Sequence, residues 1–204
     1  MFFPGALISM MDRYKADINP PGSEDANEHD GLVTALPLIL QQAPNNFNLE
    51  ELHKCLHIMT QDPESIQHHE AEAFLIHAFI KGTDDPIGAT KIHFEKNEMI
   101  IGEINAVLDG KKANRSAQDL VKTFGWTCPM PGSFQGSLVS IIDAKSYADA
   151  IRETIICGGD CCARSILIGA CLGAKFGIEN IPREWIMKVE NIEYILEKCL
   201  TLFG

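Results

Sequence analysis

This 204-residue chain has little strand-like alternation anywhere, and no run of apolar residues long enough for a membrane-spanning helix. The first shortage argues against a β-rich fold, and the second excludes a helical membrane protein. Basic residues are scarce: 17 Lys and Arg stand against 28 Asp and Glu, a formal charge of −11. No basic cluster offsets that excess, so the chain repels nucleic-acid phosphates and is not expected to bind DNA or RNA. Cysteine is present, but not in a useful pattern. The seven thiols, at 55, 128, 157, 161, 162, 171 and 199, are odd in number and contain no C-x-x-C pair, which fits neither a disulfide framework nor a zinc module. A reducing, cytoplasmic setting follows as the expectation. The opening "MFFPGALISMM" lacks a basic n-region and is interrupted by Pro4 and Gly5, so it does not read as a cleaved leader. Internal repeats and low-complexity tracts are also missing.

What is there reads as helix. The irregular stretch "DINPPGSEDANEHDG" (17–31) is rich in Pro, Gly, Asn and acids. After it, Asn48 is a natural N-cap for a helix carrying Leu49, Leu52, Leu56 and Met59 at helical spacing. Asp62 followed by Pro63 opens a second helix that ends at Gly82. Its apolar side is expected to run through Ile66, Ala73, Phe74, His77 and Ile80. Further helices are predicted over 97–109, 115–124, 133–142, 146–156 and 163–176, with "PREWIMKV" and "IEYILEKCL" closing the chain. Only "GATKIHFEKN" (88–97) suggests a short extended piece. The expectation is an all-α, multi-helix bundle, with residues 1–204 forming one partial domain.

The most informative stretch is "CGGDCCARSILIGACLGAKFGIENIPREW" (157–185). Gly158 and Gly159 permit unusual backbone angles and the close approach of a ligand. Asp160 stands where free N–H groups at a helix start favour negative charge, and can serve simply as an N-cap. Ser165, Gly169, Gly173 and Gly177 recur every four residues, with Ala170 and Ala174 beside them. Such a stripe costs about 1 kcal/mol of helix propensity per interior glycine, which predicts a central helix closely packed through that face.

"GGD", a small-residue helix, Gly173-Ala174-Lys175-Phe176-Gly177 and Ile181-Pro182-Arg183-Glu184-Trp185 occur here in order. Together they resemble the C-terminal signature of the ADP-ribosylglycohydrolase family. "SYADAIRETIICGGD" is similar to the helix leading into the family's loop, and "HDGLVTALPLIL" (29–40) to the segment that starts the second half of its catalytic domain. Among members, the cysteine-bearing loop looks closest to the J-crystallins and selenoprotein J. The resemblance implies the family's all-α orthogonal bundle, with this chain covering its C-terminal two-thirds. It also implies two Mg²⁺ or Mn²⁺ ions that activate water and orient ADP-ribose. Asp160 is then the expected metal residue, with Gly158, Gly159, Asp160, Cys161 and Cys162 as the ligand-binding loop.

Two departures from the pattern matter. Where the family has Asp two positions after Asp160 this chain has Cys162, and Ala163 stands in place of Thr or Ser; a neutral thiol is a poor ligand for a hard cation. The family's Gly-Asp and Asp-Asp-Thr motifs are not visible, and "GTDDP" (82–86) reads as a turn. Three readings follow: a divergent, catalytically impaired hydrolase-like protein, a structural protein of the J-crystallin kind, or a hydrolase of ADP-ribosyl bonds that is active when the full-length chain is present. ADP-ribose or an ADP-ribosylated substrate is the implied partner. Self-association is expected if apolar helix faces are left uncovered.

The remaining candidates read as structural. Cys161 and Cys162 are expected to be core thiols. His68, His69 and His77 form no H-E-x-x-H arrangement, so zinc is not expected. Trp126 and Trp185 are expected to anchor the core or its edge. "SEDANEHD" reads as a solvated loop that can border a ligand cleft.

Overall fold

The computed structural model describes residues 5–43 and 47–203. Among the described residues it forms twelve α-helices, a 3-10 turn at Ile178–Asn180, and one isolated parallel bridge between Ser23 and Thr60. The helices are α1 (Gly5–Lys15), α2 (Asp30–Gln42), α3 (Leu49–Leu56), α4 (Pro63–Ile80), α5 (Pro86–His93) and α6 (Glu98–Lys112). They continue with α7 (Ala117–Phe124), α8 (Gly132–Ile142), α9 (Tyr147–Cys157), α10 (Cys161–Phe176), α11 (Arg183–Ile186) and α12 (Ile192–Phe203). The expected all-α class is what the chain adopts.

Local chemistry sets the boundaries. Asn48, Asp62, Asn97, Ser116, Ser146 and Asp160 each accept a backbone N–H from the first turn of the helix they precede. Such caps are worth about 1 kcal/mol apiece. Pro63 and Pro86 occupy first-turn positions, where a missing N–H leaves no bond unmade.

One hydrophobic core runs from α2 to α10, around α4, α8 and α10. Leu32 and Ile39 of α2, Leu75 and Ile76 of α4, Phe134 and Leu138 of α8, and Leu167, Ile168 and Leu172 of α10 are all fully or almost fully buried. At the two ends of the chain the picture changes. No residue of α1 is buried, and Tyr14, Tyr194, Leu200 and Leu202 are exposed on α1 and α12.

Three expectations fail here, one through a local cap and two through packing. Residues 88–97 are not extended: Asp85 caps α5, which continues to His93 before a turn. The buried side of α4 includes His68, His69, Glu72, Ile76 and Phe79, whereas Ile66, Phe74, His77 and Ile80 are only half-buried. Neighbours on several sides of α4 (α2, α3, α5, α6 and α10) bury residues outside the single stripe that periodicity suggested. The helix α10 is central, against α4, α8 and α9, but its glycines contribute little, with only Tyr147 Oη of α9 near the Gly169 position. Its buried face is Arg164, Leu167, Ile168, Cys171 and Leu172, and a Cβ added at Gly173 would meet nothing. The large apolar side chains chose the face, and the small-residue stripe lies half-exposed beside it.

Candidate functional site

The loop between α9 and α10 is held by both of its glycines. Gly158 and Gly159 have φ of 76° and 68°, a region that side chains disfavour. A Cβ on Gly159 would collide with the Trp126 carbonyl, which also accepts the Asp160 N–H at 2.8 Å. Trp126, expected to anchor the core or its edge, is half-exposed at the loop's edge and contributes backbone to it.

Asp160 has both carboxylate oxygens engaged. Oδ1 accepts the Ala163 N–H at 2.9 Å, and Oδ2 accepts the Cys128 thiol at 2.6 Å. The thiol bond, then the backbone bonds, hold the Asp160 carboxyl below its usual range despite partial burial. The same bond, with burial and the charge of Glu28, pushes Cys128 up to about 11.

Asp160 and Cys128 line a pocket of about 520 Å³ together with Asp25, Glu28 and Asp30, and Gly5 at the start of α1 closes one side. "SEDANEHD" therefore does border a cleft. Glu28 is raised by burial and by the nearby charges of Asp30 and Asp160. Asp30 is raised by burial, which the His69 and His29 imidazoles partly offset. The acidic residues surround a shared space, yet among the described residues no group of three or more His, Cys, Asp or Glu is spaced to hold a metal ion.

Behind Asp30 lies a polar cluster that sequence reasoning missed. Glu72 is wholly buried, with Oε1 3.0 Å from His29 Nδ1 and Oε2 2.8 Å from His69 Nδ1. Burial alone would raise its pKa, but the two imidazoles outweigh that and bring it to about 2. The ring of His69 presses on Gly31, where a Cβ would approach Nε2 to 2.9 Å. His69 and Glu72 lie three residues apart on α4, a spacing visible in sequence. Their partner His29 lies 40 residues earlier, which no local pattern signals.

The expected loop residues divide. Asp160 faces the pocket, Gly158 and Gly159 shape the turn, and neither Cys161 nor Cys162 is among the pocket's lining residues. They are not core thiols either: Cys161 is half-buried and Cys162 exposed, on the first turn of α10. Cys162 is raised, chiefly by Cys161 beside it, so its thiol is not activated. All seven cysteines are free.

The chain is thus a helical bundle that presents a Gly-Gly-Asp turn at the start of a central helix, on the edge of an acidic cleft. The family model for ADP-ribosylglycohydrolase matches residues 3–203, and the chain belongs to that family. Among relatives, it is 25% identical to crystallin J1A and 26% to crystallin J1B of Tripedalia cystophora, each over 175 residues. That alignment covers 85% of this chain and 53% of each crystallin, so the chain spans about half the length of these relatives. A solved ADP-ribosylglycohydrolase-related protein complex has the same fold, with a TM-score of 0.71 at 18% identity, covering 98% of this chain and 68% of that one.

Proposed function

We propose that this chain is a divergent ADP-ribosylglycohydrolase-like protein whose metal-dependent hydrolytic centre is impaired. The observation that carries the reading is the state of Asp160. Its two oxygens are taken by a backbone N–H and a thiol, and the positions that follow offer Cys161, Cys162 and Ala163. Mg²⁺ and Mn²⁺ take oxygen ligands, so this loop does not fit either ion. ADP-ribose remains the ligand class to test at this loop, since the backbone of a glycine loop can still contact a phosphate.

The second reading, a structural protein of the crystallin kind, is supported by the two J-crystallin relatives. The exposed apolar side chains of α1 and α12 support self-association, read by gel filtration. A third reading, hydrolysis by a longer chain that contributes further acidic ligands, is tested by the same assays on such a chain. The test is hydrolysis of ADP-ribosyl-arginine and thermal unfolding, each with Mg²⁺ or Mn²⁺ and ADP-ribose. A saturating ligand at 100 times its Kd adds about 2.7 kcal/mol of stability. We expect no turnover and no metal-dependent shift. Turnover that requires metal overturns the proposal.

A further inference from the structure

Arg164 is the largest fully buried side chain in the described residues, and none of the ion pairs among them includes it. Burying an unpaired guanidinium is expensive unless its donors are satisfied and some negative potential faces it. Here that potential comes from backbone, and Nε and Nη2 are satisfied while Nη1 is buried without a hydrogen-bond partner. Arg164 Nε donates to Thr154 Oγ1 at 2.9 Å, and Nη2 donates to the Thr154 carbonyl at 3.0 Å and to the Gly158 carbonyl. Those carbonyls belong to the last turn of α9 and its C-cap, where a helix end carries partial negative charge and a cation is favoured. Space for the stem comes from α8, where a Cβ on Gly136 would come within 2.6 Å of Arg164 Cδ. Ser137 Oγ then bonds the Arg164 carbonyl at 3.2 Å.

Asp160 caps the start of α10 and Arg164 caps the end of α9, so opposite charges four residues apart clamp the two sides of the Gly-Gly turn. We propose that Arg164 is the positioning residue of this loop, an internal cation that orders Gly158–Gly159–Asp160 without a bound metal ion. The inference rests on the reading that the loop no longer holds a divalent cation. It explains how the loop keeps two glycines at positive φ and a carboxylate at the edge of the cleft.

The experiment compares amide hydrogen exchange at residues 158–163 in the wild-type chain with chelator and with Mn²⁺, then in three variants. Arg164→Lys keeps the cation, Arg164→Gln keeps a donor without charge, and Thr154→Val removes one acceptor while leaving Arg164 intact. Wild-type loop amides are expected to exchange at the same rate in both solutions. Arg164→Gln should speed their exchange by about tenfold or more relative to core amides of α4, Arg164→Lys should retain most of the protection, and Thr154→Val should fall between. Loop protection that depends on Mn²⁺ in the wild type sinks the impaired-metal reading itself. Metal-independent protection that Arg164→Gln leaves unchanged, or that Arg164→Lys loses as fully as Arg164→Gln, sinks the role of Arg164 alone. Should Arg164→Gln fail to fold, Thr154→Val decides: unchanged loop exchange in that variant overturns the proposal.

Discussion

Cys128 donates its thiol hydrogen to Asp160 Oδ2 across 2.6 Å, joining the segment before α8 to the cap of α10. One bond thus moves two groups in opposite directions, lowering the carboxyl and raising the thiol to about 11. The same carboxylate also caps α10 by accepting the Ala163 N–H. In this chain it works as a structural acceptor.

Asp160→Asn tests that coupling. Asparagine still caps a helix, so α10 should persist. The thiol, freed from a carboxylate, should fall from about 11 toward its ordinary value of 9.0. Each unit of fall is a tenfold gain in thiolate at neutral pH. Alkylation of Cys128, followed by mass spectrometry against pH, should speed up by one to two orders of magnitude, on the order of ~10- to 100-fold. An unchanged rate would mean the carboxylate does not control the thiol.

Glu72 makes acid stability the second test. Its folded pKa, about 2, lies below its ordinary 4.5. A depressed carboxyl contributes stability above the higher value and loses it as pH falls toward the lower, here between about 4.5 and about 2. That contribution is on the order of ~3 kcal/mol. Urea unfolding of the wild type should weaken steeply across this window. Glu72→Gln should be less stable at neutral pH, by roughly 3 to 5 kcal/mol for a broken buried pair, and should show a flatter acid limb. Parallel curves for the two proteins would refute the assignment.

Two glycines separate the loop from the stripe. Gly159→Ala forces a side chain onto a backbone at φ 68° and into the Trp126 carbonyl, and should cost about 3 kcal/mol or more. Gly173→Ala meets nothing and should stabilise α10 by roughly 0.5 to 1 kcal/mol. Thermal unfolding separates them by sign. A destabilised Gly173→Ala would revive the close-packing reading of the stripe.

Most helices were legible because their ends are written locally. Asn48, Asp62, Ser146 and Asp160 announce starts, and Gly177 announces a stop, without reference to the rest of the chain. The faces of α4 and α10 were not legible, since which side is buried depends on neighbours from distant sequence. His69 and Glu72 look like ordinary helix residues until His29 arrives from the cap position of α2. Cys128 is 32 residues from Asp160, and Gly136, which makes room for Arg164 in the core, is 28 residues from it. Local patterns carried the loop; its second layer of partners is a product of the fold.

The most direct test of the account is Mn²⁺ binding to the purified chain, read from the electron paramagnetic resonance signal of free Mn²⁺ with and without ADP-ribose. The account predicts that the free-ion signal persists at equimolar protein, and that Asp160→Asn gives the same result as wild type. Loss of the signal at a stoichiometric site, restored by Asp160→Asn, would contradict it and return the loop to the metal-dependent hydrolases.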